Sequence, residues 1–297
     1  MNRPKRHHIV PSSYLKRFAE ENSGLVYVLD LKKREIRKQK PEKVMFIKDY
    51  YRQEHAPEGI DENVLEKTFG SFLEGKAKPA IDKLIDDPKA LNEEDIAILL
   101  SYLHFQRIRV PRQIDQFKDF FKAYVESVAY SIPEIAKDLA DGRYEIVIKE
   151  EAKFGFMKAM GDLYIRAFSR MIWKVSEAPK STPLVTTDSP VSLAHPKFPP
   201  PLEAGIGLLG TLVLYPLSPT HLLELSHPEM DVSSNSKFMD KVPISELEEV
   251  SHLVVESGGR LTDEMAYATN RILAGLSDRF VVANNEPILL KLLQDLT

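Results

Sequence analysis

The chain carries histidine and carboxylate side chains whose types and spacing suit metal and phosphate chemistry. His7 and His8 are adjacent. Neighbouring side chains point in different directions on a helix or a strand, so one histidine can contact a site while the other packs. Glu66 and Glu74 lie on one predicted helix, about 80° apart around its axis. The two carboxylates either bind a cation together or lie on a solvent-exposed face of the helix, and their spacing does not distinguish these interpretations.

A second group of polar residues lies further along the chain. Gln106 and Arg109 are three residues apart on another predicted helix, so they share a face. Arg109 can bind a phosphate or a carboxylate through two hydrogen bonds, or it can join two helices through an ion pair with a glutamate. Asp188 follows the short β-like run Leu184–Thr187. It is either a catalytic carboxylate at a strand end or an ordinary turn residue.

The composition is typical of a water-soluble globular protein and excludes several kinds of site. The 297 residues are 43% hydrophobic and 28% charged, and none is cysteine. Disulfides, thiolate zinc sites, iron–sulfur clusters and a cysteine nucleophile are therefore excluded. The longest apolar run, Ile206–Leu217, is about half as long as a membrane helix. No apolar stretch follows the basic residues at the start, so we predict a cytoplasmic protein without a membrane partner.

Charge is distributed unevenly along the chain. The net charge is −4, but residues 1–48 hold 13 lysines and arginines against 5 acids, a net of +8, and the rest has a net of −12. A basic segment can bind a polyanion, because lysine and arginine release the counterions condensed on it. It can equally dock on the acidic part of its own chain or of a partner protein. Nucleic acid is thus one predicted partner of this segment.

Hydrophobic periodicity and capping residues predict the elements that must position these side chains. A hairpin is predicted for residues 25–40, where Val26, Val28 and Ile36 alternate with polar neighbours. The other predicted elements before residue 175 are helices, at 11–20, from Asp61, from Asn92, at 114–130 and at 150–175. Prolines crowd residues 178–201 and indicate loops and strand ends. Beyond them we predict strands at 208–214, 221–225 and 280–283, a turn at 216–219, and helices at 245–256, 262–276 and after Asn285.

These elements predict an α+β fold. In the expected arrangement, a predominantly α-helical N-terminal bundle with an N-terminal β-hairpin packs on a smaller mixed α/β C-terminal segment. No flexible linker separates the two parts, so we expect a single domain over residues 1–297. A possible subdivision places the helical part, with the basic arm and the hairpin, at 1–175 and the mixed part at 176–297. Helix should clearly outweigh strand.

Short motifs occur in order along nearly the whole chain. They are His7–Ala19, Val26–Asp30, the helix with Glu66 and Glu74, Gln106–Pro111, Trp173, Thr186–Pro190, Tyr215–Pro219 and Asn270. Together they resemble a microbial family catalogued as domain of unknown function 4238. The resemblance implies no activity, substrate or cofactor. It does imply that the separated polar residues belong together, either in a shared site or in a buried structural network.

The residue types favour an enzyme as the first functional hypothesis. It is a metal-dependent hydrolase, in particular a nuclease, acting on a phosphate-containing substrate. Glu66, Glu74 and Asp188 would hold a divalent metal ion, and His7 or His8 would be a ligand or the general base. Familiar catalytic motifs, such as a glycine-rich phosphate loop, a nucleophile elbow or an H-E-x-x-H helix, do not occur in the sequence.

The alternative is a non-catalytic binding or scaffold protein, whose His/Glu/Gln/Arg network fastens the amino-terminal arm to the helices. In the enzyme, Gln106 would belong to the same site and Arg109 would neutralise the charge that develops on phosphate. Under either hypothesis we expect His7 or His8 to contact Gln106 or Arg109, near Glu66 or Glu74.

Overall fold

Helices and strands both occur along the chain, and in the described part helices outweigh strands, 44% against 21%. The computed structural model describes residues 6–52, 73–149, 151–160, 163–228 and 253–296. The predicted α+β class and the predicted excess of helix are therefore confirmed. Residues 61–72 of the helix predicted from Asp61, and Glu66 with them, lie outside the described residues, whereas Gly75–Asp86 is helical and contains Pro79.

The amino-terminal arm is a short strand followed by a short helix. Strand β1 (Arg6–His8) pairs antiparallel with β4 (Phe46–Lys48). Helix α1 (Ser12–Leu15) and a 3-10 turn (Lys16–Phe18) follow β1, and a second 3-10 turn (Pro41–Lys43) precedes β4. The aromatic and leucine side chains of the first two turns are buried. The arm is therefore held against the core by apolar packing as well as by strand pairing.

The predicted hairpin is present and belongs to a four-stranded antiparallel sheet. It consists of β2 (Val26–Asp30) and β3 (Glu35–Gln39). The other two strands are β6 (Thr186–Thr187) and β11 (Phe280–Ala283), and the strand order is β3-β2-β11-β6. Strand β11 therefore joins the beginning of the chain to its end.

Between residues 75 and 169, the part of the chain that the structure describes contains six α-helices. They are α2 (Gly75–Asp86), α3 (Glu93–Ile108), α4 (Pro111–Tyr130), α5 (Pro133–Ala140), α6 (Ala152–Ala159) and α7 (Leu163–Ser169). Helix α3 begins with a capping box, in which the Asn92 side chain accepts from the Asp95 N–H at 2.8 Å and Asp95 accepts from the Asn92 N–H at 3.1 Å. Pro111 occupies the first turn of α4, where its missing N–H costs no helical hydrogen bond.

The second sheet has five strands in the order β10-β5-β9-β8-β7. Its strands are β5 (Ile172–Glu177), β7 (Ser192–Ala194), β8 (Leu212–Ser218), β9 (His221–Ser226) and β10 (Val255–Arg260). Only β10 and β5 pair in parallel among the described strands of this sheet. Helices α8 (Asp263–Gly275) and α9 (Glu286–Asp295) complete the chain and begin at Thr262 and Asn285, as predicted.

Four predicted elements are wrong or partly wrong. The strand predicted for residues 208–214 begins only at Leu212 and runs to Ser218. In place of the one helix predicted for residues 150–175 the structure has α6 and α7, of which α7 ends at Ser169, and Ile172–Glu177 is a strand that pairs with β9 and β10. Periodicity alone cannot separate a short buried strand from a helix, and the pairing partners lie far away in sequence. The turn predicted at 216–219 lies largely inside β8. Of the helix predicted at 245–256, residues 245–252 lie outside the described part and Val255 begins a strand.

The predicted arrangement of a helical first part on a mixed second part is not confirmed, because strands occur throughout the chain. Strands β1 to β4 precede residue 50, and the hairpin pairs with β11. Each of the two clusters of buried apolar residues combines residues from before and after 175, such as Leu103 with Tyr215 and Leu29 with Leu289. Among the helices that the structure describes, none has the length and apolar character to cross a bilayer.

Candidate functional site

The amino-terminal histidines lie against the helices, as expected. The His7 ring is buried, its Nδ1 accepts a hydrogen bond from the Tyr51 N–H at 2.8 Å, and the ring stacks on that of Tyr51 at 5.8 Å. The His8 backbone carbonyl accepts a hydrogen bond from Nη2 of Arg109. The expected contact between the arm and Arg109 is therefore present, and it uses the backbone of His8 rather than its imidazole.

Arg109 is the centre of this contact. It is 2% exposed, and its Nη1 lies 3.3 Å from Oε1 of Glu74. Its Nε donates to the Tyr51 hydroxyl at 3.3 Å, and that hydroxyl donates to the Arg109 carbonyl at 3.0 Å. The second carboxylate oxygen of Glu74 accepts from the Ser13 hydroxyl at 3.2 Å. We call this set the arm network; its members are His7, His8, Ser13, Tyr51, Glu74 and Arg109.

The arm network keeps its charges paired inside the protein. Burial raises the pKa of Glu74, and the Arg109 guanidinium opposes this rise. Burial lowers the pKa of His8, which favours the neutral form of its imidazole. A buried ion pair of this kind contributes chiefly when both partners are present, because removing one leaves the other charged in a low dielectric. The geometry therefore fits a network that fastens the arm.

Gln106 lies one turn before Arg109 but has no hydrogen bond to it. Its side chain is buried, and neither amide atom has a hydrogen-bond partner among the residues that the structure describes. Arg107, which directly follows Gln106, has a partner outside the arm network. It forms a buried ion pair with Glu203 at 2.5 Å, and Glu203 also accepts from Gln113 at 3.0 Å. Glu203 could not be predicted as the partner of Arg107, because it lies 96 residues away in a proline-rich loop without a local pattern.

Other motif residues form hydrogen bonds in the core. The Tyr14 hydroxyl donates to the Pro216 carbonyl at 2.6 Å and lies 2.9 Å from the Thr186 hydroxyl. The Asn270 side-chain amide donates to the Pro183 carbonyl and accepts from the Val185 N–H, both at 2.9 Å. Three of these four partners are backbone groups, which need hydrogen-bond partners when they are buried. These motif residues therefore hold separated segments together.

Asp188 accepts its side-chain hydrogen bonds from residues outside the arm network and organises another loop. Its Oδ1 accepts from the Asp278 N–H at 3.0 Å, and its Oδ2 accepts from the N–H groups of Arg279 and Phe280 at 2.8 and 2.9 Å. Burial raises the pKa of Asp188 to about 6, and the three N–H donors act in the opposite direction. Three donors leave Oδ1 with one unused lone pair.

Asp188 borders a partly open cavity of about 380 Å³, which we call the basic cavity. Its charged lining residues are Arg37, Lys43, Arg112, Asp188, Asp278 and Arg279. Its apolar lining comes from the arm, β4 and β11, and includes Ile9, Met45, Phe46 and Phe280. Met45 has a φ of 51°, a left-handed backbone conformation that costs about 1 kcal/mol or more in a non-glycine residue and recurs at ligand sites.

The cations of the basic cavity are held in different ways. Arg279 binds Asp30 through two nitrogens at 2.8 and 3.1 Å, and Arg37 lies 3.6 Å from the same carboxylate. Arg112 instead donates to backbone carbonyls, at 2.6 Å to both Leu276 and Pro201. Within the described ranges neither Arg112 nor Lys43 has an ion-pair partner. Two of the cavity's four cations are thus free of a direct carboxylate contact.

Many other cations of the basic segment pair with acids of the same chain. These pairs are Lys16 with Glu42, Arg17 with Asp82, Lys32 with Asp278 and Lys38 with Glu20. Arg17–Asp82 and Lys32–Asp278 join the segment to the rest of the chain, whereas the other two pairs lie within residues 1–48. Arg37 and Lys43 of the same segment line the basic cavity.

Glu74 and Asp188, the two proposed metal ligands that the structure describes, have different hydrogen-bond partners. Glu74 contacts Ser13 and Arg109, Asp188 contacts the backbone of residues 278–280, and Glu66 lies outside the described residues. Over the described ranges, no group of three or more histidines, aspartates and glutamates has a geometry that could hold a metal ion.

Fold and site together define an α+β protein whose arm is fastened by a buried ion pair and closes one side of a basic cavity. The model of the family described as protein of unknown function (DUF4238) matches residues 6–287, and the chain belongs to this family. The comparison with curated proteins gave no match, and neither did the comparison with solved structures.

Proposed function

We propose that the protein binds a phosphate-containing ligand in the basic cavity. The observation that carries this proposal is the set of four cations around a space of about 380 Å³. Arginine and lysine are the side chains that bind phosphate oxygens through charge-assisted hydrogen bonds. Two of the four, Lys43 and Arg112, are not engaged by a neighbouring carboxylate in the described structure, so a ligand anion would complete their surroundings.

The apolar part of the cavity supports a phosphate ester rather than inorganic phosphate alone. Phe46 and Phe280 lie on the same lining as the cations, with Ile9 and Met45 beside them. Aromatic faces and apolar side chains bind the organic part of a ligand, while a few polar groups fix its orientation. A phosphomonoester with an aromatic group and the end of a nucleic-acid strand both have this chemistry.

We expect phenyl phosphate to bind with a dissociation constant that Lys43→Gln and Arg112→Gln each raise about tenfold, since a hydrogen bond to a charged group contributes about 1.5 kcal/mol or more. Isothermal titration calorimetry at low salt, repeated with a short single-stranded oligonucleotide, measures the effect. Because the site is ionic and partly open, binding should also weaken as salt is raised.

Lys180→Gln is the matched control, because Lys180 is an exposed lysine outside the basic cavity. It should leave the dissociation constant unchanged. Equal affinity in the parent, Lys43→Gln and Arg112→Gln proteins would contradict the proposal, as would the absence of binding to any phosphate ester.

A second candidate function is hydrolysis of the bound ester. Asp188 supports it, because this carboxylate borders the cavity, keeps one lone pair on Oδ1, and has a pKa raised by burial to about 6. A carboxylate with a pKa just below neutrality can take a proton from a water that attacks phosphorus. An assay of this hydrolysis also tests whether the reaction depends on the metal ion that we proposed from the sequence.

We expect the parent protein to hydrolyse p-nitrophenyl phosphate or its diester, and Asp188→Asn to lower the rate about 100-fold or more, as is typical for loss of a general base. The assay compares reactions with chelator, Mg²⁺, Mn²⁺ and Zn²⁺. If phenyl phosphate binds tightly but neither ester is hydrolysed under any of these conditions, the protein binds phosphate esters and is not a hydrolase of them.

We also propose that the arm network acts in support of the cavity rather than in the chemistry. Ile9 follows His8 directly and lines the cavity, and the Ile9 N–H donates to the Met45 carbonyl at 3.0 Å. Fastening His8 to Arg109 therefore positions this wall of the cavity. In this role the arm network matches the scaffold hypothesis, and the residues of the basic cavity bind the ligand.

A further inference from the structure

Helix α4 and the start of α5 expose a band of large apolar side chains. The members and their exposed fractions are Phe120 (72%), Phe121 (39%), Tyr124 (59%), Val128 (48%), Ile132 (40%) and Ile135 (41%). We call this set the apolar band. Elsewhere on α4, Phe117 stacks on Phe156 of α6 at 4.5 Å, so the helix already has an inner face. The band is a second, outward-facing apolar surface.

The band has a regular shape that suits helix pairing. Phe120, Tyr124 and Val128 are four residues apart and form one ridge along the helix. Ridges of this kind pack into the grooves of another helix at a crossing angle of about −50°, the commonest class of helix contact. Because the same ridge and groove occur on every copy, two identical α4 helices related by a two-fold axis can interlock.

The residues beside the ridge indicate which partner fits. Gln116, Ala123 and Ser127 lie three or four residues from Phe120 or Tyr124 and are uncharged. Two identical copies can meet here without placing like charges opposite each other. A negatively charged membrane or a nucleic acid would instead require lysines and arginines along this border.

The exposed area is close to what a specific dimer needs. With about 200 Å² for a full aromatic side chain, the apolar band exposes about 550 Å² on each copy. Two copies would bury about 1,100 Å² together, just above the roughly 1,000 Å² expected of a biological interface. On a single copy, a patch of this size is at the upper limit for a soluble monomer. We propose that the apolar band is a two-fold interface with a second copy of this chain.

Cross-linking tests the geometry directly, because the chain contains no cysteine. In Tyr124→Cys the only thiol lies at the middle of the ridge, near the proposed axis. We expect mild oxidation to give a disulfide-linked dimer in high yield. Leu290→Cys, at an exposed position of α9 (47%), is the matched control and should stay monomeric. Equal yields for the two variants would overturn the proposal.

Sedimentation velocity tests the association without a cross-link. With rising concentration, we expect the parent protein to shift toward twice the monomer mass of 33.8 kDa. The double variant Phe120→Ser, Tyr124→Ser should weaken association at least tenfold with an unchanged circular dichroism spectrum, whereas Leu290→Ser should not weaken it. A parent protein that stays monomeric up to about 100 μM, where a weak interface of this size should still form, would overturn the proposal. Self-association unchanged in the double variant would overturn it too.

Discussion

Replacing Arg109 with methionine should lower the free energy of unfolding by about 3–5 kcal/mol, as expected when one partner of a buried ion pair is removed. The guanidinium is 2% exposed and binds Glu74, the Tyr51 hydroxyl and the His8 carbonyl. Methionine fills much of the same volume but leaves Oε1 of Glu74 and the His8 carbonyl without the guanidinium as donor. Urea unfolding followed by circular dichroism measures the loss.

Two variants test whether the cause is the stranded carboxylate. Arg143→Met is the control, because Arg143 is 61% exposed and pairs with Asp138 at the surface, and it should cost less than about 1 kcal/mol. The double variant Arg109→Met, Glu74→Gln should be less destabilised than the sum of its single changes. If Glu74 instead held a catalytic metal ion, Glu74→Gln would leave the melting temperature unchanged. It would also abolish a stabilisation of the parent by Mg²⁺, Mn²⁺ or Zn²⁺.

The contribution of Asp188 to stability should depend on pH. Burial raises its folded-state pKa to about 6, above the ordinary value of 3.8. The folded protein then holds the proton more tightly than the unfolded chain does. The stabilising contribution is therefore fully present below pH 4 and is lost as the pH rises through 6. Linkage gives a change of up to about 3 kcal/mol between pH 4 and pH 7.

Asp188→Asn isolates this effect, because the variant is close in shape and cannot titrate. We expect the difference in unfolding free energy, parent minus variant, to shift in favour of the parent by up to about 3 kcal/mol from pH 7 to pH 4. Urea unfolding of both proteins across this range measures it. A difference that stays constant or moves the other way would show that the three backbone N–H donors keep the carboxylate ionised in the folded protein.

Several elements could be predicted from the sequence because their determinants are local. The side chains of Asn92, Thr262 and Asn285 each cap a helix by accepting from an N–H three residues later. The hairpin is likewise indicated by alternation within a few residues, at Val26 and Val28. Such contacts form between near neighbours, so their pattern can be recognised in the sequence.

The candidate site could be predicted only in part. The contact between the arm and Arg109, near Glu74, was predicted correctly, but it is made by the His8 backbone carbonyl and not by complementary charges of arm and helices. The same reasoning did not find Glu203 as the partner of Arg107, nor the backbone of residues 278–280 as the partner of Asp188. Residue type shows that a buried charge needs a partner, but it does not show which of many candidates the fold brings close.

The fold class, the family and the first residues of the capped helices could be predicted from the sequence, because they depend on composition, on ordered motifs and on hydrogen bonds within one turn. That Ile172–Glu177 is a strand follows only from the three-dimensional structure, because its pairing partners β9 and β10 lie far along the chain. The same holds for the position of Arg37, Lys43, Arg112 and Arg279 around one cavity. These cations come from separated segments, and their proximity follows from strand pairing and core packing, which no short sequence window contains.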